Sequence, residues 1–186
     1  TTTTSMVSWI LREDGLDPTF FVGGEFAGEG TSHQGMGDYA VFETDESDGS
    51  FLKVKADVHL VTNIDNDHLD HWGSMEALLQ AFYDYLDNVK PGGFRVVCAD
   101  DPVLKEWASG KEQVETYGFS PDAKWRLIEL TQAGWGTRSL VYHQGEQVAP
   151  LVLNVPGRHA AQNALGAAVA ARCCGVDTVR ALRHLS

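Results

Sequence analysis

The chain has 186 residues, enough for one domain with a real core, and its 43% hydrophobic content excludes a disordered acidic tail. Twenty-six acidic residues against fourteen basic ones leave a net charge of −12. That argues against nucleic acid and against an anionic membrane surface, both of which require clustered Lys and Arg. A single nucleotide stays open, because one small patch can hold an anion inside an acidic protein. Cys98, Cys173 and Cys174 form no metal spacing and no even disulfide set, which fits a reducing compartment. The sequence has no apolar run of about 18 residues and no signal-peptide pattern.

The chain opens Thr1-Thr2-Thr3-Thr4-Ser5, without a Met, and is expected to have been cut from a longer protein. Met6, Val7, Ile10 and Leu11 have helical spacing over residues 2–14, and Gly15 ends that helix. Residues 19–22 read as a strand. Residues 23–37 read as a glycine-rich loop too polar to pack. Residues 38–43 read as a short strand of the kind buried on both faces of a parallel sheet, followed by an acidic loop over 44–50. Residues 57–62 give another strand.

Ser74 is a single-sided N-cap, because Ala77 fills the slot of a capping-box acid. Behind it Met75, Leu78, Leu79, Phe82, Leu86 and Val89 share one helical face, and Pro91-Gly92-Gly93 ends the helix. A strand over 94–98 leads to Asp100-Asp101-Pro102, the cap of a short helix. Residues 114–119 form a further strand. From about residue 123 the texture changes. Residues 124–130, 137–143 and 147–154 alternate apolar and polar, which predicts an antiparallel meander packed on one side. Residues 159–174 are an alanine-rich helix, and 177–185 a second one. The expected class is α/β: a mostly parallel, doubly wound sheet with an added small antiparallel β part.

In such sheets ligands bind beyond the carboxyl ends of the strands, and four groups of residues fall there. Glu43 ends a strand and opens a loop with Asp45, Glu46 and Asp48. Such a charge run is usually a solvated loop, but Glu43, by position, suits a hard divalent cation. Asn63, Asp65, Asp67, His68, Asp70 and His71 crowd the next strand end. A lone His is more often structural, but here several ligand types share one place. In Pro156-Gly157-Arg158-His159-Ala160-Ala161-Gln162-Asn163, His159 and Asn163 lie four apart on one helical face. They read either as polar groups at a helix start or as a base-recognition edge, since Asn offers both a donor and an acceptor. Thr1 and Thr2 open a helix; such hydroxyls cap helices or, after the lysine of a phosphate loop, hold magnesium.

Taken in order, the threonine run, Glu43-Thr44-Asp45-Glu46-Ser47-Asp48-Gly49-Ser50-Phe51-Leu52, Val61 through Asp70, and Asn154 through Asn163 resemble the central ATP-binding domain of the Mur ligase family. The stretch from Asp45 through Leu52 is most similar to its alanine-adding branch. The resemblance covers the whole chain. It implies a phosphate-loop NTPase-like fold and a three-domain cytoplasmic bacterial enzyme of peptidoglycan synthesis. The implied reaction uses ATP and Mg2+ to join L-alanine to UDP-N-acetylmuramate through an acyl phosphate. Thr1 matches the phosphate-loop hydroxyl on magnesium, with Thr2 beside it in the nucleotide site. Glu43 matches the acid holding the same ion, and His68 the ligand of a second ion near the acyl phosphate. His159 and Asn163 match the adenine-side motif.

Three departures are visible. Ala160 stands where the family has Asn. Phe82 stands where some sister ligases carry a carbamylated lysine, which fits the alanine-adding branch. The Gly-Thr-His-Gly-Lys phosphate loop and its preceding strand are expected ahead of Thr1, with a UDP-binding domain before and a further domain after, so residues 1–186 alone are expected to be inactive. The alternatives are a sister ligase that adds a peptide to the same sugar nucleotide, a non-catalytic nucleotide-binding module, and a plain acidic α/β interaction domain.

Overall fold

A computed structural model describes residues 1–26, 28 and 30–186. Helix α1 spans Thr2–Glu13 and buries Ser8, Ile10 and Leu11. It leads through Gly15, in the left-handed region at φ 82°, to β1 (Thr19–Phe21). Strand β1 pairs antiparallel with β2 (Ser32–His33) and parallel with β3 (Ala40–Phe42) in a three-stranded sheet.

The remaining strands form a second sheet: β4 (Val58–Val61), β5 (Phe94–Cys98), β6 (Val114–Gly118), β7 (Trp125–Ala133), β8 (Gly136–His143) and β9 (Glu146–Leu153), in that order. Pairing is parallel from β4 to β7 and antiparallel from β7 to β9. The antiparallel meander is therefore continuous with the parallel sheet through the β6–β7 pair. The expected mostly parallel α/β class with an antiparallel part is what forms.

Helices cover both faces of the larger sheet. On one face lie α2 (Leu69–Trp72), α3 (Met75–Asp87) and α4 (Pro102–Ala108). His59 of β4 stacks on Tyr85 of α3, with ring centroids 4.0 Å apart, and Arg95 of β5 donates to the Leu86 carbonyl. The alternate residues face α5 (Arg158–Cys173): Cys98 meets Gln162, and Tyr117 meets Gly166. Helix α5 is apolar around most of its girth, because it lies between the sheet and α1. Its alanines 161, 164, 167, 168 and 171 are fully buried, and their small side chains let both neighbours approach. Helix α6 (Thr178–His184) packs on α5 and β9.

Two local expectations are corrected. The 23–37 segment does pack: Phe26 is buried against Phe20 and Val22, and β2 lies within it. A single aromatic anchors an otherwise polar stretch. Ala27 and Glu29 of that segment lie outside the described residues. The 38–43 strand is not buried on both faces, because Ala40 and Phe42 are exposed. The cause is topological. Strand β3 is the edge of its sheet and β4 the edge of the other, and a groove of about 320 Å³ runs between them. It is lined by residues 38–44 on one side and by Val58, Leu60 and Thr62 on the other, with Val7, Leu11 and Ala170 among its apolar walls.

Candidate functional site

Glu43 follows β3 directly, and its N–H donates to the Phe21 carbonyl, so the strand fixes where the side chain starts. Its carboxylate is enclosed on two sides. Oε1 accepts the Thr1 hydroxyl at 2.7 Å and lies 2.7 Å from the Thr1 amino nitrogen, while Oε2 accepts the Gly23 N–H at 2.7 Å. A Cβ on Gly23 would lie 2.9 Å from both Glu43 Oε2 and Thr1 Oγ1, so the close approach requires glycine. Burial pushes the Glu43 carboxyl up, and the hydrogen bonds it accepts from Thr1 and Gly23 pull it down. Thr1 is the N-cap residue of α1, yet its hydroxyl makes no capping bond and turns to Glu43 instead. Thr2 is exposed on the first turn and makes no side-chain hydrogen bond among the described residues.

A hydroxyl and a carboxylate on one small space suit Mg2+, which takes one or two protein oxygens and completes its shell with water and phosphate. Among the described residues no group of three or more His, Cys, Asp or Glu forms a full protein cage for a metal. One hydroxyl and one carboxylate leave room for water and phosphate oxygens, so the donor set fits an ion delivered with a phosphate ligand.

The acidic loop and the second strand end meet in space, although they belong to different sheets. His68 Nε2 lies 3.9 Å from Glu46 Oε1 and 3.9 Å from Asp67 Oδ2. Trp72 Nε1 donates to the Glu46 carbonyl at 2.9 Å, and the Gly49 backbone lies against the rings of His71 and Trp72. His68 itself has φ 55°, a left-handed conformation uncommon for a residue with a side chain. Asp45 and Asp48 do not face the pocket as free charges. Each accepts bonds from a residue two further on, Ser47 and Ser50, and these bonds hold both carboxyls below their ordinary value. Asn63 accepts the Thr62 hydroxyl at 3.1 Å, and the Ile64 N–H donates to Asp101, tying this strand end to the next.

His159 and Asn163 lie on the first turns of α5, and neither makes a side-chain hydrogen bond among the described residues. Phe82 is buried in an aromatic group with Phe51, at 5.3 Å between centroids, so that position carries no polar function. Sequence reasoning missed Asp100, Phe119 and Gln162. Asp100 was legible only as part of a cap, but it accepts the Phe119 and Ser120 N–H groups and the Gln162 amide. Its companion Asp101 is the actual cap of α4.

A doubly wound α/β domain whose strand-end acid meets the hydroxyl at a helix start, with further polar groups at neighbouring strand ends, belongs by architecture among nucleotide-type α/β domains. The comparison with known proteins is more specific. The Mur ligase middle domain family matches residues 1–171, and the chain belongs to that family. It is 43% identical to the UDP-N-acetylmuramate–L-alanine ligase of Methylorubrum extorquens strain PA1, over 97% of this chain and 41% of that protein. It is 40% identical to the ligase of the same name from Desulforamulus reducens, over 100% of this chain and 41% of that protein. The solved UDP-N-acetylmuramate–alanine ligase of Thermotoga maritima superposes with a TM-score of 0.87 at 28% identity, over all of this chain and 41% of that one. The chain thus spans about two fifths of the length of the curated relatives it matches.

Proposed function

We propose that the chain is the central, ATP-binding part of a bacterial ligase that joins L-alanine to UDP-N-acetylmuramate in the cytoplasm, in peptidoglycan synthesis. The observation that carries this is the Thr1–Glu43 pair seated on Gly23. The substrate carboxylate attacks the γ-phosphorus of ATP, and ADP leaves. The alanine amine then attacks the acyl carbon of the resulting acyl phosphate, loses a proton, and phosphate leaves. Both steps bring anions together, so catalysis rests on positioning and charge neutralisation. Magnesium supplies that neutralisation when bound. Thr1 and Glu43 would hold that ion through their oxygens. His68, which lies beside Glu46 at the neighbouring strand end, would hold a second ion. His159 and Asn163 offer donors and an acceptor to the base.

The groove between β3 and β4 supports the same reading. Both bordering strands have a free edge there, with Val7, Leu11, Val58, Leu60 and Ala170 on its apolar side and threonines and Glu43 on its polar side, as the slot for one more strand ending in a polar loop would be. In the intact ligase a strand leading into a phosphate loop would fill it and enter α1 at Thr1.

The test is turnover. The intact protein, given UDP-N-acetylmuramate, L-alanine, ATP and Mg2+, is expected to release phosphate only when L-alanine is present. Residues 1–186 alone are expected to release none. Phosphate release that depends on a peptide in place of L-alanine would move the protein to the sister branch, and turnover by residues 1–186 alone would overturn the domain reading.

A further inference from the structure

One polar cluster at the carboxyl edge has no part in the chemistry described so far. Asp100 lies just beyond β5 with its side chain only 17% exposed. Oδ1 accepts the Phe119 N–H at 2.8 Å and the Ser120 N–H at 2.6 Å. Oδ2 accepts the Gln162 amide at 2.9 Å and lies 3.4 Å from Arg158 Nη2. The carboxylate is set hard against the end of β6, since a Cβ on Gly118 would lie 2.7 Å from Oδ1.

Arg158 is the residue this hub leaves facing outward. Its guanidinium carbon lies 3.7 Å from the centroid of the Phe119 ring, while 54% of the side chain is exposed. Three constraints therefore act on one plane. Phe119 supports it from below, Asp100 draws one edge, and the α5 backbone fixes its root. His159 is the next residue, and Asn163 follows a turn later on the same helix. A guanidinium is planar and weakly hydrated, and it stacks on π-systems. Free in solvent, a long Arg side chain samples many rotamers; here the Phe119 ring and the Asp100 carboxylate both favour one.

We propose that Asp100 is a positioning residue for nucleotide binding. It holds Arg158 flat on Phe119, so that the outer face of the guanidinium is a preset platform for a purine ring beside His159 and Asn163. This rests on the nucleotide-binding reading above and adds to it the residues that grip the base. A purely structural Asp100 would affect stability without affecting which base is preferred.

The experiment uses the intact protein and two variants. Asp100→Asn keeps an oxygen for the Phe119 and Ser120 N–H groups and removes the charge facing Arg158. Arg158→Lys keeps the charge and removes the plane. Both are expected to raise the KM for ATP about tenfold, the scale of one base-stacking contact, and to narrow the preference for ATP over UTP. The kcat and the KM values of the other substrates are expected to stay within about twofold, as befits loss of a binding contact only. Arg158 is exposed, so its Lys variant folds even where Asp100→Asn does not. An ATP KM in Arg158→Lys within about twofold of wild type, or an unchanged base preference, overturns the proposal. Calorimetric titration with ADP separates this failure from that of the ligase reading. Wild type that binds ADP but does not turn over refutes the ligase reading, whereas equal ADP affinity in wild type and Arg158→Lys refutes the platform.

Discussion

Replacing Glu43 by Gln isolates the charge of the candidate metal site from its shape. The amide keeps two of the three short contacts, its oxygen accepting the Gly23 N–H and its nitrogen donating to the Thr1 hydroxyl, which can also accept, and loses only the one with the Thr1 nitrogen, itself a donor. The fold should therefore lose little, less than about 1 kcal/mol, the net worth of one ordinary hydrogen bond. What disappears is the anionic oxygen offered to the cation. Contacts between charged groups and their partners are worth about 1.5–3 kcal/mol, so the magnesium concentration at half-maximal rate should rise about 10- to 150-fold. The assay is phosphate release by the intact protein, titrated with Mg2+ at fixed ATP, beside a thermal melt of the same sample. A variant with unchanged melting and unchanged magnesium dependence would refute the placement of the ion at Thr1 and Glu43.

Three further outcomes follow from packing and titration. Gly166→Ala places a Cβ 2.6 Å from Tyr117 Cζ on a fully buried ring. Overpacking of about 1–3 kcal/mol should exceed the gain in helix propensity of about 1 kcal/mol, and equilibrium urea unfolding should show a net loss of about 1 kcal/mol; an unchanged midpoint would contradict it. Tyr117→Phe should stabilise by about 1 kcal/mol in the same assay, because the hydroxyl is buried without a partner among the described residues. Burial depresses the His59 pKa against the opposing pull of the Tyr85 carbonyl, and the ring accepts the Ala56 N–H at Nε2, which marks it neutral. The unfolded state then binds the proton more readily than the folded one. Stability should be fully present above the ordinary His pKa and fall on acidification through that window, at up to about 1.4 kcal/mol per pH unit. His59→Gln should flatten that slope.

Periodicity located most elements because their apolar faces are regular. The alternation in 137–143 and 147–154 is the direct imprint of a meander covered on one side, and the Met75–Val89 pattern is that of α3. Division of the strands between two sheets was not legible, because strand pairing depends on which edges meet and not on local pattern. For the same reason the 38–43 strand read as doubly buried. Its residues are apolar, but its free edge and much of its surface border a groove. Phe26 shows the converse failure, where one buried aromatic outweighs a polar, glycine-rich context.

At the site, sequence order placed Glu43 and His68 at strand ends, and the motif spacing put His159 and Asn163 on one helix. The pairing of Thr1 with Glu43 across 42 positions needs the fold, as does the contact between His68 and Glu46. Asp100 was hidden by its neighbour. Two adjacent acids before a proline satisfy the rule for a helix cap, and only the structure shows that Asp101 alone caps while Asp100 gathers the next strand end.

The electrostatics of this edge constrain any anionic ligand. Glu43, Glu46, Asp67 and Asp100 all stand at or near the strand ends, within a chain of net charge −12. Two like charges about 5 Å apart at an effective dielectric of about 20 repel by roughly 3 kcal/mol. A nucleotide triphosphate placed beside Glu43 meets that repulsion several times over unless cations enter with it. The proposed site is thus unsuited to a bare phosphate and suited to a metal-bound one. On the base side, by contrast, the ligand end is uncharged, and there the structure provides a stacked guanidinium whose charge is already met by Asp100. On the proposed reading the two ends of the site match the two ends of one molecule: oxygen donors where phosphate would arrive with its cation, a flat neutralised surface where a base would arrive without one.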